Sequence, residues 1–255
     1  LPRSRGLGDV YKRQGVFFSQ FTGAELVADK WNLSREDLDK FALESHQKAA
    51  HATESKYFDR EILPVEGRNA EGMNDLVMAD EGIRFDASLD KLAGLNPVTE
   101  GGVITAGNAS QITDGAAAVM VCNDAGLKKI QANPRAEIVS ISVVGDDPVF
   151  MLTGPIPASI QALKTANLTI DDMDLYEVNE AFAPVPLAWA EDLKADRSKL
   201  NVNGGAMALG HPLGATGAKL MTTLLHEMER RESTYGLQAI CEGGGTANAT
   251  IIKRI

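Results

Sequence analysis

The chain has 255 residues, of which 44% are hydrophobic, enough to bury the core of one large or two modest domains. Its formal net charge of −10 disfavours nucleic acid and anionic membrane surfaces as partners. No apolar run reaches the length of a membrane-spanning helix. The two cysteines, Cys122 and Cys241, give no disulfide framework, which fits a reducing compartment.

The first half of the chain predicts one clear helix and then a long irregular excursion. Ser34 is placed to cap the amide of Asp37, and small or apolar residues follow at helical spacing as far as Ala49. Residues 57–102 lose clear periodicity and collect Gly, Asn, Asp and Pro. Long excursions of this kind in compact proteins usually cover a binding site.

The second half predicts strands alternating with helices. Strands are predicted at 116–122, 138–144, 175–178, 237–241 and 247–252, and helices at 157–166, 181–193 and 215–230. This alternation indicates a layered α/β domain.

Three short motifs place polar side chains at the junctions of these elements. Asn179 follows one strand and precedes a helix, His211 lies in the glycine-rich run 201–218, and Cys241 ends a strand beside three glycines. Glycine is used where the backbone turns with positive φ or approaches another group closely. Because ligands bind at the carboxyl ends of strands in such sheets, His211 and Cys241 are predicted to be a catalytic pair.

Together these motifs resemble the thiolase family. The segments that carry the resemblance, in the family's order, are 31–36, 105–110 with 114–115, 151–158, 179–183, 201–218 and 241–245. A single glycine run would be weak evidence, but several ordered motifs are specific. The resemblance extends from about residue 15 to residue 255 and implies a thiolase-like layered α/β/α fold, here the loop domain plus the C-terminal half.

The same resemblance divides the chain. Residues 15–110 correspond to the thiolase loop-domain region, 111–135 to the end of the N-terminal half, and 136–255 to the C-terminal domain. Residues 1–14 match nothing in the family and are interpreted as a non-native segment, with a divergent natural N-terminus as the alternative. Thiolases carry their nucleophilic Cys upstream of the matched segments, so we expect a truncated enzyme that is inactive alone.

The resemblance implies an acyltransferase that cleaves or forms 3-ketoacyl-CoA, with coenzyme A as a substrate and no permanently bound cofactor or metal. It assigns proton transfer at the α-carbon to Cys241, with the pKa of its thiol brought toward neutrality by a neighbouring imidazole. His211 would activate the missing nucleophile and polarise a thioester oxygen. Asn179 would position a water or donor in the same oxyanion pocket, and the amide of Gly243 would serve a second oxyanion hole. Glu180 is interpreted as a structural partner.

Substrate contacts are also implied by the family positions. Ser110 would meet the pantetheine arm, and Met151 and Phe182 would line the acyl pocket, although either apolar side chain is equally compatible with plain core. Leu152 replaces the glycine usual in the family, which leaves the acyl chain length open. The sequence of 241–245 favours a degradative bacterial enzyme over a short-chain biosynthetic one. By resemblance we expect a homodimer or homotetramer. The reducing compartment that the cysteines indicate predicts a cytoplasmic location, with organellar targeting as an alternative.

Three alternatives to a thiolase enzyme are compared with the same residues. A thiolase-fold protein that only binds acyl-CoA or lipid would not need a proton shuttle, so the retention of Asn179, His211 and Cys241 together argues against it. A dinucleotide-binding domain would need Gly-x-Gly-x-x-Gly after a first strand, which is absent. In a Cys–His hydrolase, Cys241 would itself have to be acylated. Cys122 is predicted to be a small buried residue, and three further histidines are predicted to be structural or exposed: His46, His51 and His226.

Overall fold

A computed structural model of the chain describes residues 18–68 and 72–255. The helices are α1 (Gln20–Lys30), α2 (Arg35–Glu54), α3 (Leu89–Ala93), α4 (Asp124–Ile130), α5 (Pro155–Ala166), α6 (Pro184–Leu193), α7 (Ala206–Leu209) and α8 (Thr216–Arg230). The strands are β1 (Val65–Arg68), β2 (Asn74–Val77), β3 (Ala136–Gly145), β4 (Leu175–Val178), β5 (Tyr235–Cys241) and β6 (Thr246–Arg254). The segment 1–14 lies outside the described residues.

The main sheet has four strands in the order β3-β6-β5-β4. Strand β6 is antiparallel to both neighbours, while β4 and β5 run parallel. A parallel bridge between Tyr176 and Leu200 extends the sheet beyond β4. The carboxyl ends of β4 and β5 therefore lie side by side, which brings Asn179 and Cys241 to the same edge of the sheet.

Helices cover both faces of this sheet, as the α/β/α prediction requires. On one face α5 receives hydrogen bonds from β3, where the hydroxyl of Ser142 donates to the carbonyl of Ala158 at 2.6 Å. On the same face Tyr176 of β4 meets Trp189 of α6 edge to face, with ring centroids 5.3 Å apart. On the other face Leu175 packs with apolar side chains of α8. The predicted layered α/β fold is confirmed.

Helix α2 begins where the sequence predicts. The hydroxyl of Ser34 accepts from the amide of Asp37 at 3.2 Å, and the Asp37 carboxylate accepts from the amide of Ser34 at 2.9 Å. This reciprocal capping box satisfies two amides that a helix start leaves free. The small and apolar residues predicted to form its inner face are buried, among them Leu38, Ala42 and Ala49.

Most predicted elements of the C-terminal part are confirmed, with shifted starts for two helices. Helix α5 begins at Pro155 and α6 at Pro184, rather than at 157 and 181. The later start of α6 arises because the preceding turn bonds to another segment, with the amide of Ala183 donating to the carbonyl of Asn108. Residues 57–102 are less irregular than predicted, since they contain the β1–β2 hairpin and α3.

The strand predicted at 116–122 is wrong. The structure forms no regular element there, and Met120 and Val121 are 76% and 69% exposed. A strand needs a neighbour to satisfy its amides and carbonyls, and in the described part of the chain no strand lies beside this segment. The expectation of a buried Cys122 is wrong for the same reason, because this thiol is exposed.

Across residues 18–68 and 72–255, no helix combines the length and the apolar character needed to span a membrane.

Candidate functional site

Asn179 is held at the end of β4 by one further backbone bond. Its amide donates to the carbonyl of Ala239 in β5 at 3.0 Å, so the parallel pairing continues one residue past the strand. Its side chain is buried, with 1% of the residue exposed. The turn that follows leads into α6, which places the Asn179 amide group at the edge where the two parallel strands end.

His211 lies in the loop between α7 and α8. The preceding residue, Gly210, has φ of +83°, and a Cβ there would lie 2.5 Å from the hydroxyl of Thr113. Only glycine is compatible with that backbone and that space. The backbone amide of His211 donates to the carbonyl of Gln111 at 3.2 Å, and Nδ1 lies 2.6 Å from Oγ1 of Thr216.

Cys241 is the last residue of β5 and pairs with Ala247 of β6. The turn between the strands has positive φ at Gly244 and Gly245. A Cβ on Gly245 would lie 2.8 Å from the carbonyl of Asp146, so the turn packs tightly on the segment that follows β3. This packing fixes the backbone just beyond the Cys241 thiol, including the exposed Gly243.

The three side chains predicted to be catalytic meet in the fold. Nδ2 of Asn179 lies 3.4 Å from Nε2 of His211, and the same side chain is hydrogen-bonded to Cys241. Oδ1 of Asn179 is buried and has no hydrogen-bond partner among the described residues. Because a buried acceptor without a partner is costly, this oxygen is a natural position for a bound donor such as water.

Burial dominates the protonation of both titratable groups. It raises the pKa of the Cys241 thiol to about 11, and the hydrogen bond with Asn179 opposes this effect. Burial also lowers the pKa of His211, which favours the neutral imidazole. The expectation that the imidazole brings the pKa of Cys241 toward neutrality is wrong, because burial of the thiol outweighs the interactions that lower its pKa.

The residue after Asn179, Glu180, is buried and forms a cluster with its hydrogen-bond partners, here called the Glu180 cluster. Glu180 accepts hydrogen bonds from the hydroxyl of Ser45 at 2.7 Å, from the side-chain amide of Asn201 at 2.8 Å and from the backbone of Met207 at 3.2 Å. Asn201 also accepts from the amide of Val178 at 2.9 Å. Glu180 therefore ties the end of β4 to α2 and α7, in line with its predicted structural role.

The predicted substrate residues gather around the start of α1. The amide of Ser110 donates to the carbonyl of Ala181 at 2.9 Å, beside buried Phe182. The ring of Phe182 meets Phe21 of α1 edge to face at 5.5 Å. Met151 has φ of +60° and packs on the same core as Phe182. The contacts of Met151 and Phe182 are therefore explained by an ordinary place in the core, without a role in lining the acyl pocket.

The other histidines have structural contacts. Nδ1 of His46 accepts from the backbone amide of Arg84 at 3.1 Å, and His51 meets the ring of Tyr57 edge to face at 5.7 Å. Nδ1 of His226 donates to the carbonyl of Thr222 at 2.9 Å.

The residue at this site that sequence reasoning missed is Thr216. It lies five positions after His211, at the first position of α8, where a hydroxyl bends back toward the preceding loop. A threonine at a helix start directly after a glycine-rich loop is the signal that points to it.

These features define a layered α/β protein with a Cys–Asn–His cluster at the carboxyl edge of its sheet, in which Cys241 and Asn179 are buried and His211 is partly buried. Residues 5–125 match the family model described as the thiolase N-terminal domain, and residues 132–254 match that of the thiolase C-terminal domain. The chain belongs to the thiolase family. The first match begins inside segment 1–14, earlier than residue 15, so part of that segment resembles the family after all. The proposed four-way division of the chain remains a prediction.

Individual relatives agree with this assignment. The chain is 54% identical over 237 residues to the steroid 3-ketoacyl-CoA thiolase FadA6 of Mycobacterium tuberculosis, covering 93% of this chain and 57% of the relative. It is 46% identical over 265 residues to a 3-ketoacyl-CoA thiolase of Photorhabdus laumondii, covering 100% of this chain and 68% of the relative. Among solved structures, human mitochondrial 3-ketoacyl-CoA thiolase in complex with CoA superposes with a TM-score of 0.87 at 40% identity, covering 95% of this chain and 60% of the other.

Proposed function

We propose that this chain forms the proton-transfer part of a thiolase-type acyltransferase, which cleaves or forms 3-ketoacyl-CoA with coenzyme A. The observation that carries the proposal is the position of Asn179, whose side chain contacts both His211 and Cys241. An acid–base thiol, an imidazole and a positioned amide within one buried site are the groups that this chemistry requires.

Cys241 acts as the acid in the cleavage direction. Because its pKa is raised to about 11, the thiol keeps its proton at neutral pH. When the C–C bond breaks, the electron pair remains on the α-carbon and the S–H proton moves to that carbon. The thiolate that is left then takes the proton of the incoming coenzyme A thiol, which returns Cys241 to its starting state.

His211 acts on the acyl-accepting thiol. A neutral imidazole takes the proton of that thiol, and the N–H so formed then donates to the thioester oxygen. The acyl-accepting thiol is not a residue of the described site, because Cys241 has the proton-transfer role and Cys122 is exposed. We therefore expect the 255 residues alone not to catalyse thiolysis.

Two further groups complete the proposed oxyanion pockets. The unpartnered Oδ1 of Asn179 holds a water that donates to the same thioester oxygen as His211. Gly243, in the turn after Cys241, is exposed, and its amide is assigned to the second pocket. Ser110 is assigned to the pantetheine arm, and Met151 and Phe182 to the acyl pocket. The homo-oligomeric state and the cytoplasmic location stay predictions.

Thiolysis of acetoacetyl-CoA tests this function. The 255-residue chain is compared with the same chain joined behind the N-terminal part of a thiolase that supplies a nucleophilic Cys. We expect turnover only from the joined protein, and a loss of about 100-fold or more when Cys241→Ala removes the acid. Cys122→Ala is the matched control and should leave turnover unchanged.

The outcomes distinguish a catalytic thiolase from a non-catalytic relative that binds acyl-CoA. If the joined protein binds acetoacetyl-CoA but does not turn it over, the chain belongs to a non-catalytic acyl-CoA-binding thiolase relative. If turnover is present and Cys241→Ala leaves it intact, the proposed role of Cys241 is wrong.

A further inference from the structure

The hydroxyl of Thr216 is held between two partners. Its Oγ1 lies 2.9 Å from the carbonyl oxygen of Pro212 and 2.6 Å from Nδ1 of His211, and the residue is 2% exposed. A hydroxyl has a single proton to donate, and a carbonyl oxygen can only accept. The Thr216 proton is therefore directed to Pro212, which leaves a lone pair of Oγ1 facing the imidazole.

The contact at Nε2, on the other side of the imidazole ring, indicates the same tautomer. Nε2 of His211 faces Nδ2 of Asn179 at 3.4 Å, and an amide nitrogen can only donate. Nε2 must then present its lone pair. The contacts on opposite sides of the ring, one with Thr216 at 2.6 Å and one with Asn179 at 3.4 Å, thus both favour the proton on Nδ1, and the shorter contact with Thr216 is the stronger of the two.

We propose that Thr216 is a positioning residue that holds neutral His211 in the Nδ1–H tautomer, so that Nε2 is the atom that takes a proton. This inference rests on the proposed function only for what the proton transfer accomplishes. In the opposite tautomer, the Nε2–H would point at the N–H of Asn179, and the hydroxyl of Thr216 would have to leave Pro212.

The arrangement also suits the protonated ring. When Nε2 takes a proton from a thiol, the S–H bond breaks, an Nε2–H bond forms and the Nδ1–H remains bonded to Oγ1 of Thr216. The ring keeps its orientation through this step, because the Thr216 contact is the same in both states. Nε2, now protonated, no longer accepts from the amide of Asn179 and becomes the donor to the thioester oxygen of the proposed function.

Nitrogen NMR on the ¹⁵N-histidine-labelled 255-residue chain tests the proposal without requiring activity. The chain has four histidines, and His211→Gln assigns the His211 signals by their loss. Two others are internal references at a pH where the rings are neutral. His46 accepts at Nδ1 and must be the Nε2–H tautomer, whereas His226 donates from Nδ1 and must be the Nδ1–H tautomer. We expect His211 to match His226.

Two variants and a control show whether Thr216 is the cause. Thr216→Ser keeps the hydroxyl and should keep the Nδ1–H tautomer, whereas Thr216→Val should shift His211 toward Nε2–H. The Pro212 carbonyl still receives the backbone amides of Ala215 and Thr216 in the Val variant, so the helix start is retained. Thr222→Val is the control, because its hydroxyl makes the same bond four residues back, to Ala218, away from His211.

The results separate this inference from the proposed function. An Nε2–H tautomer in the unmodified chain overturns the inference whether or not any variant folds, and so does a Thr216→Val spectrum identical to that of the unmodified chain. In a joined protein that catalyses thiolysis, Thr216→Val should lower kcat by about tenfold or more with little change in KM, with recovery in Thr216→Ser. Failure of thiolysis alongside the expected spectra would refute the function and leave the inference standing.

Discussion

Cys241 lies where the protein favours a thiol over a thiolate. The residue is 8% exposed, and burial raises the pKa to about 11 despite the hydrogen bond with Asn179. A thiolate is the form that reacts with alkylating reagents, so the rate at Cys241 should rise as the pH approaches about 11. Exposed Cys122 provides an internal comparison.

We therefore expect iodoacetamide at neutral pH to label Cys122 and leave Cys241 unmodified. Peptide mass spectrometry across a pH series measures both rates in one sample. Asn179→Ala removes the hydrogen bond that favours the thiolate, so labelling of Cys241 should move to still higher pH. Equal labelling of both thiols at neutral pH would contradict the account of Cys241.

Glu61 links folding stability to pH. Its side chain is 8% exposed, and burial raises its pKa to about 7, against the opposing effects of the Thr223 hydroxyl and Lys219. Because the folded state holds this proton more tightly than the unfolded chain, the contribution is present below pH 4.5 and is lost as the pH rises to about 7. The loss amounts to about 3 kcal/mol.

Urea unfolding at about pH 5 and about pH 8 measures this linkage. Glu61→Gln keeps an oxygen that accepts from Thr223 but has no proton to lose, so it should gain stability relative to the unmodified chain at the higher pH. Glu54→Gln, at an exposed position on α2, is the control and should show no such gain. The same pH dependence in both variants would exclude Glu61 as its source.

The catalytic candidates were predictable from the sequence, whereas their protonation was not. Asn179 lies between a strand and a helix, and His211 and Cys241 lie in glycine-rich runs at the ends of elements, all of which are local signals. The pKa of Cys241 depends on how completely neighbouring elements exclude water, and no local pattern records that. The contact of Thr216 with His211 was missed because it depends on how the loop 212–215 curls back onto its helix.

At the scale of elements, the turn before α7 packs closely on the Glu180 cluster. A Cβ on Gly205 would lie 2.2 Å from Cδ of Glu180, and its backbone amide donates to the hydroxyl of Ser45 at 3.0 Å. Glycine is required here by space rather than by φ, since its φ is −144°. Through this contact Gly205, at the start of α7, joins Ser45 of α2 to Glu180 at the end of β4.

Gly205→Ala should therefore lower the free energy of unfolding by about 3 kcal/mol, because a buried carboxylate must move. Gly145→Ala is the matched control, since a Cβ there meets nothing within 4 Å. Chemical denaturation of both variants measures the difference. Equal stability of the two variants would show that the Glu180 cluster relaxes without cost.

Elements were predictable where the sequence pattern and the packing agree. Strand β4 occurs where predicted because Leu175–Val178 is buried throughout and has a neighbour, β5, to pair with. The run 116–122 is entirely apolar but stays irregular, because in the described structure no strand pairs with it. Pairing is a long-range property, so composition alone predicted this strand wrongly.

At the scale of the whole molecule, apolar side chains remain on the surface in several places, among them the segment around residue 120 and strand β3. Met120 and Val121 are 76% and 69% exposed, and Val143 on β3 is 72% exposed. Patches of this kind promote association between proteins. The chain spans 57% of the length of its Mycobacterium tuberculosis relative.

We expect the purified chain to self-associate as its concentration rises. Met120→Lys combined with Val121→Lys should reduce association, because charged side chains resist burial between molecules. Light scattering against concentration measures the effect. Leu63→Lys, at a single residue that is 80% exposed in another segment, is the control and should change association little. Equal reduction by both would mean that net charge, rather than this segment, controls association.

The central claim is that Asn179, His211 and Cys241 form one proton-transfer site. Deuterium incorporation at the α-carbon of acetyl-CoA in D₂O, followed by proton NMR, tests it most directly, because this step needs no acyl-accepting thiol. The account predicts exchange above the buffer rate with the 255-residue chain, rising as the pH approaches about 11 and Cys241 becomes a thiolate, lost in Cys241→Ala and retained in Cys122→Ala. Exchange at the same rate with and without the Cys241 thiol would contradict it.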